Sequence, residues 1–106
     1  MTKVVEVTTP AQLDTIVAEE ALVVVDFAAE SWCVPCQRFR PHFDKVAETQ
    51  DDTVFVHVDV DESPELRALY EIQTVPTVLA FVSGAPVPIQ ARTAPALVRE
   101  LQSLGG

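Results

Sequence analysis

Residues 21–41 read ALVVVDFAAESWCVPCQRFRP, and a change of period inside them decides the fold. Residues 21–28 are apolar on both parities apart from Asp26, the pattern of a central strand covered on both faces. From Cys33 onward the period becomes helical, with Phe39, Phe43, Val46 and Ala47 falling on one side. Pro41 lies within that stretch, where its missing N–H and its ring should bend the helix. A buried strand therefore runs into a helix, and Cys33 and Cys36 stand at the junction.

Working outward, Val4, Val5 and Val7 predict a short first strand. Thr9-Pro10-Ala11-Gln12 predicts a capping box with proline at the first helical position, followed by Leu13, Ile16 and Val17 at helical spacing. Residues 54–60 (VFVHVDV) alternate, with His57 and Asp59 on the parity opposite Val54, Val56 and Val58. Ser63 and Pro64 open a short helix carrying Leu66 and Leu69. Residues 77–82 read as another buried strand, Ser83 and Gly84 as a turn, and residues 87–91 as the second arm of a hairpin. A last helix begins at Thr93 or Ala94, turns Leu97, Val98, Leu101 and Leu104 inward, and ends at Gly105 and Gly106. The order β-α-β-α-β-α-β-β-α calls for parallel pairs with crossovers plus an antiparallel hairpin. The fold class is α/β: a mixed, five-stranded central sheet with helices on both faces, as a single domain over residues 1–106.

The chain has 106 residues, 48% of them hydrophobic, which is enough for one core without staples. Seven Lys and Arg against sixteen Asp and Glu leave a net charge of −9, which does not supply a nucleic-acid footprint. Much of the negative charge lies in Asp51, Asp52, Asp59, Asp61, Glu62 and Glu65, which read as a solubilising face. The longest apolar runs fall far short of the ~20 residues that cross a bilayer, and the first residues lack the h-region of a signal peptide. A cytoplasmic location is the expectation, with a trimmed periplasmic form as the alternative; in a reducing compartment a disulfide is usually transient and catalytic.

The position of the two cysteines suggests their chemistry. The first turn of a helix presents free N–H groups and the positive end of the macrodipole, which stabilise a thiolate at Cys33. Only the thiolate attacks a disulfide sulfur. Three residues of helix bring Cys36 back toward Cys33, so the pair can close on itself. Cys33 is then the exposed nucleophile, Cys36 the shielded resolving thiol, and Pro35 fits early in the helix. Half of a zinc site is the first alternative, but the other soft ligands, His42 and His57, stand fifteen residues apart. Two inert core thiols are the second.

Residues 25–41 (VDFAAESWCVPCQRFRP), with the V-D-V-D-E-S-P segment, Thr74-Val75-Pro76-Thr77 and the Gly84 hairpin, resemble the thioredoxin family along essentially the whole chain. The resemblance implies the thioredoxin fold and a protein-disulfide reductase. It matches Cys33 to the attacking cysteine, Cys36 to the resolving one, and Asp26 to a buried carboxylate assisting deprotonation of the resolving thiol through water. Burial would raise the Asp26 pKa toward the range of a useful base; a hydrogen-bonded structural acid is the alternative. Pro76 matches a cis-proline that sets the Val75 backbone beside the cysteines to pair with substrate, against a trans turn proline. Trp32 would form an apolar wall beside Cys33, against an ordinary core aromatic. The family also implies no cofactor on this chain, disulfide-containing clients, recharging by a flavin- and NADPH-dependent thioredoxin reductase, and a monomer.

Several positions depart from the family pattern. Ser31 is an extra residue before Trp32, and Ala28 stands where a second tryptophan is common. Val34 replaces a glycine between the cysteines and stiffens the turn, which bears on the reduction potential. His57 stands where a lysine is frequent near the buried Asp, and a neutral histidine need not pair as an ion; a solvent-facing or locally satisfied strand residue is its alternative. Arg92 replaces a glycine on the partner-docking loop, where it would obstruct backbone approach yet favour an acidic partner, against a solvated surface arginine. These positions suggest a narrower version of the activity, dedicated to one partner. A binding or chaperone module with dispensable cysteines is the alternative from another class.

Overall fold

The computed structural model describes residues 3–105. The elements are β1 (Val5–Glu6), α1 (Pro10–Glu19), β2 (Leu22–Ala28), α2 (Val34–Thr49), β3 (Val54–Asp59), α3 (Pro64–Leu69), β4 (Thr77–Val82), β5 (Ala85–Ile89) and α4 (Ala94–Gly105). They form one five-stranded sheet in the order β1-β3-β2-β4-β5. β2 and β1 each run parallel to β3, while β2–β4 and β4–β5 are antiparallel. β2 thus lies at the centre, as its two-sided apolar character requires.

Strand alternation divides the core in two. Val23, Val25, Phe27, Val56 and Val58 meet Leu13 of α1 and Leu66 of α3 on one face. Val24, Phe55, Val78, Ala80 and Ile89 meet Phe39, Phe43, Val46 and Ala47 of α2 and Leu97 and Leu101 of α4 on the other. Phe43 and Phe55 pack edge to face with centroids 5.4 Å apart. Asp26 and His57 share the parity of Val24 and Phe55, so two polar side chains enter the α2 face. They are direct neighbours in the β2–β3 register.

Local signals explain the element ends. Thr9 caps α1, accepting from the Gln12 N–H while the Gln12 side chain accepts from the Thr9 N–H, the capping box expected from the sequence. α2 runs through Pro41 to Thr49 without interruption. Ser63 is the N-cap residue of α3, but its hydroxyl makes no cap bond; it donates instead to the Thr8 carbonyl at 3.0 Å and ties α3 to the start of α1. The second arm of the hairpin is Ala85–Ile89, two residues earlier than the hydrophobic run at 87–91 suggests. Ser83 and Gly84 adopt φ of 49° and 87°, so the turn needs only these two residues and Val82 pairs directly with Ala85. Pro86 and Pro88 are tolerated because β5 is an edge strand. Gly106 lies outside the described residues. No helix among them is long and apolar enough to cross a membrane.

Candidate active site

β2 delivers the chain to the C-terminal edge of the sheet at Ala28, and α2 starts only six residues later. Cys33 is the N-cap of α2, with extended backbone (φ −87°, ψ 104°), and its N–H donates to the Ala29 carbonyl at 2.9 Å. Its sulfur occupies the place of a capping oxygen and accepts from the Cys36 N–H at 3.2 Å. A free N–H and the helix dipole therefore converge on Cys33 Sγ, the environment that stabilises a thiolate. The two cysteines are joined as a disulfide with Cα atoms 5.2 Å apart. Cys36 is wholly buried, whereas Cys33 keeps 4% of its surface. The sequence expectation of an exposed Cys33 is too generous: sequestering the pair against Ala28, Ala29 and Val75 leaves only a sliver of the outer sulfur's residue open.

The flanking residues make a rim. Trp32 is 60% exposed and Val34 is half exposed, so the residues on either side of Cys33 present apolar surface to solvent. Trp32 is no core aromatic; its Nε1–H donates to Asp61 Oδ2 at 2.7 Å, which anchors the indole. Asp61, read from the sequence as part of a solubilising face, thus has a positioning contact. Val75 precedes a cis peptide bond to Pro76, as the resemblance implied. Its carbonyl oxygen lies 3.6 Å from Cys33 Sγ, and β4 begins only at Thr77.

Asp26 is fully buried, and neither carboxylate oxygen has a hydrogen-bond partner among the described residues. Burial pushes its pKa up to about 7; Glu30 adds to the rise, while His57, Arg40 and Arg92 oppose it. No protein donor among the described residues holds this carboxylate as a structural acid would be held.

His57, also buried, faces two carboxylates: Nδ1 lies 2.7 Å from Glu6 Oε1 and Nε2 3.0 Å from Glu30 Oε1. It is not solvent-facing. Ligand atoms of Asp26, Glu30 and His57 fall within 4.8 Å of one another. Within this set His57 and Glu30 have partners, since the imidazole nitrogens face Glu6 and Glu30 and Arg40 bonds Glu6 at 3.0 Å and approaches Glu30 at 3.9 Å, whereas Asp26 has none among the described residues. His57, Glu6, Glu30 and Arg40 form one polar network, and Asp26 stands beside it. Sequence reasoning missed Glu6, Glu30 and Arg40; the four-residue step from Asp26 to Glu30 was the one local signal.

Arg92 folds inward. Its guanidinium donates to the carbonyls of Ile89 (2.9 Å), Ala91 (2.8 Å) and Pro76 (3.3 Å) and lies 5.5 Å from the Phe39 ring centroid. Partial burial lowers its pKa. The solvated surface arginine is excluded, and the cation stands against the segment carrying Val75 and Pro76. Pro35 lies in the first turn of α2, and Ser31 is exposed on the approach to Trp32.

The chain is similar to known proteins in sequence and in fold. A family model described as Thioredoxin matches residues 4–103. Similar relatives include a thioredoxin of Mycoplasmoides gallisepticum, 44% identical over 78 residues that cover 74% of this chain and 77% of that one. Thioredoxin-3 of Dictyostelium discoideum is 42% identical over 87 residues, 82% of each chain. Among solved structures, mitochondrial thioredoxin 3 from Saccharomyces cerevisiae, in its oxidised form, matches over 94% of both chains with a TM-score of 0.84 and 28% identity.

Proposed function

The chain belongs to the thioredoxin family and is a thiol-disulfide oxidoreductase, and from that premise we propose that it reduces client protein disulfides with Cys33 attacking and Cys36 resolving. The observation that carries this assignment is the Cys36 N–H donated to Cys33 Sγ at the helix start, which favours charge on Cys33 and not on Cys36. The Cys33 thiolate attacks one client sulfur, the client S–S bond breaks, and the departing sulfur leaves as a thiolate that takes a proton from water. A mixed disulfide joins Cys33 to the client. Cys36 then gives its proton to the Asp26 carboxylate, through water, and its thiolate attacks Cys33 Sγ. The client leaves as a dithiol carrying two electrons, and Cys33–Cys36 is again a disulfide. A base with a pKa of about 7 is matched to that proton transfer near neutral pH.

Trp32, Val75, Pro76 and Arg92 form the client-facing rim, with the Val75 backbone available to pair with an extended client segment. Val34, Pro35 and His57 tune the pair rather than react. The 106 residues act as one domain and as a monomer in the cytoplasm, in cell redox homeostasis and electron transport. An NADPH-dependent flavin reductase returns the disulfide to dithiol. The inward-folded Arg92 also favours the narrower version, in which few partners fit the rim.

The test is trapping. Cys36→Ser accumulates mixed disulfides with clients, resolved on a non-reducing gel, and Cys33→Ser accumulates none. Equal trapping by both variants overturns the assignment of roles.

A further inference from the structure

Beside the disulfide lies a cavity of about 280 Å³ lined by Pro35, Arg38, Phe39, His42, Pro76 and Arg92. Four of these residues stand at positions i, i+3, i+4 and i+7 of α2, so they share one helix face. The cavity therefore runs along α2 from the active-site turn, with Pro76 and Arg92 as its opposite wall.

Its charge is the reverse of the molecule's. The chain carries −9 overall, yet two of its seven Lys and Arg residues meet here and no acidic side chain lines the cavity among the described residues. Of the other cations, Lys3 and Arg40 are paired with carboxylates, whereas Lys45, Arg67 and Arg99 have no ion pair among the described residues but line no part of this cavity. Arg38 is exposed and has neither hydrogen bond nor ion pair among the described residues. Arg92 uses three of its five N–H groups on carbonyl oxygens and none on a carboxylate. The nearby Glu100 carboxylate does not line the cavity; it is held by the N–H groups of Gln90 and Ala91. His42 accepts the Ala94 N–H at Nδ1 (3.0 Å), which in the neutral ring places its proton on Nε2 as a further donor. The Arg38 guanidinium, the two remaining N–H groups of Arg92 and the His42 imidazole N–H thus have no acceptor among the described residues.

We propose that this cavity is a carboxylate subsite that selects clients bearing an Asp or Glu close to the disulfide to be reduced. The proposal rests on the reductase reading above and names its substrate class. A client segment paired with the Val75 backbone passes Pro76, and its next side chains come to the cavity. A carboxylate there meets Arg38 and Arg92 at short range, whereas the repulsion from the more distant acids is screened over about 8 Å at physiological salt. A partly exposed charge contact of this kind acts chiefly on the encounter and its register.

The test uses the pre-reduced protein in single turnover with cyclic disulfide peptides carrying Glu, Gln or Lys within two positions of the attacked cysteine. The best-placed Glu peptide is expected to react about three- to tenfold faster than its Gln counterpart, and the Lys peptide slower than both. Arg38→Gln should compress the Glu-to-Gln ratio toward one, as should high salt, while Arg99→Gln, which makes the same change in net charge elsewhere, should leave the ratio intact. Equal rates for the three peptides at every position, or a ratio that survives both Arg38→Gln and Arg92→Gln, would overturn the subsite. A preference seen only with glutathione disulfide would overturn the commitment to client side chains. If no peptide is reduced, or if Cys33→Ser reduces them equally, the reductase reading itself fails.

Discussion

Asp26 is the residue at which structure and chemistry conflict most openly. A carboxyl with a pKa near 7 in the folded chain and an ordinary value when unfolded binds a proton more tightly when folded. Its contribution to stability is therefore neutral at low pH, grows unfavourable as pH rises above about 4, and levels off above about 7. The full effect is on the order of 4 kcal/mol, from about three pH units at 1.36 kcal/mol each. The oxidised protein should lose stability across that window by urea denaturation, and Asp26→Asn should flatten this part of the profile; parallel profiles for the two would refute the buried-base account. Asp26 was legible in the sequence because a lone acid interrupts an apolar run. The partners of His57 were not, because Glu6 and Glu30 lie 51 and 27 residues from it in the chain.

At the scale of the element, α2 is defined by its first turn. Cys33 takes the cap, Pro35 costs no hydrogen bond because that turn's N–H groups have no intrahelical acceptor, and Cys36 offers the N–H that the Cys33 sulfur accepts. Although the sulfur cap itself came from the structure, the helix start, its free N–H groups and the early place of Pro35 are local and were read from the sequence. The same holds for α1, where the Thr9 and Gln12 pair is complete. Thr9→Ala should lower stability by about 1 kcal/mol, seen as a lower urea midpoint at unchanged slope; an unchanged midpoint would show that tertiary packing alone holds the start of α1. The hairpin was legible in kind but not in register. Hydrophobicity favoured residues 87–91, whereas a two-residue turn at Ser83 and Gly84 requires pairing from Ala85.

For the whole molecule, the sheet order places β2 between β3 and β4 with core packing on both faces. Native-state hydrogen exchange should therefore be slowest at the amides of residues 23–27 and fastest in β1 and β5, the edge strands; protected edges around a labile centre would contradict this topology. The active site is a product of that order. Asp26 meets His57 because β2 and β3 are parallel neighbours in one register, and Val75 reaches Cys33 because β4 runs antiparallel on the other side of β2. The cationic cavity has the same origin, since Arg92 comes from the segment after β5 and Arg38 from α2. The amino-acid sequence by itself determined the order of elements, the cysteine pair at a helix start and the buried acid, because periodicity, caps and a misplaced charge are local signals. Only the tertiary structure decided what surrounds them: the His57 network, the Asp61 anchor of Trp32 and the basic pocket. Each of these depends on through-space contact between residues far apart in the chain, which no local pattern encodes.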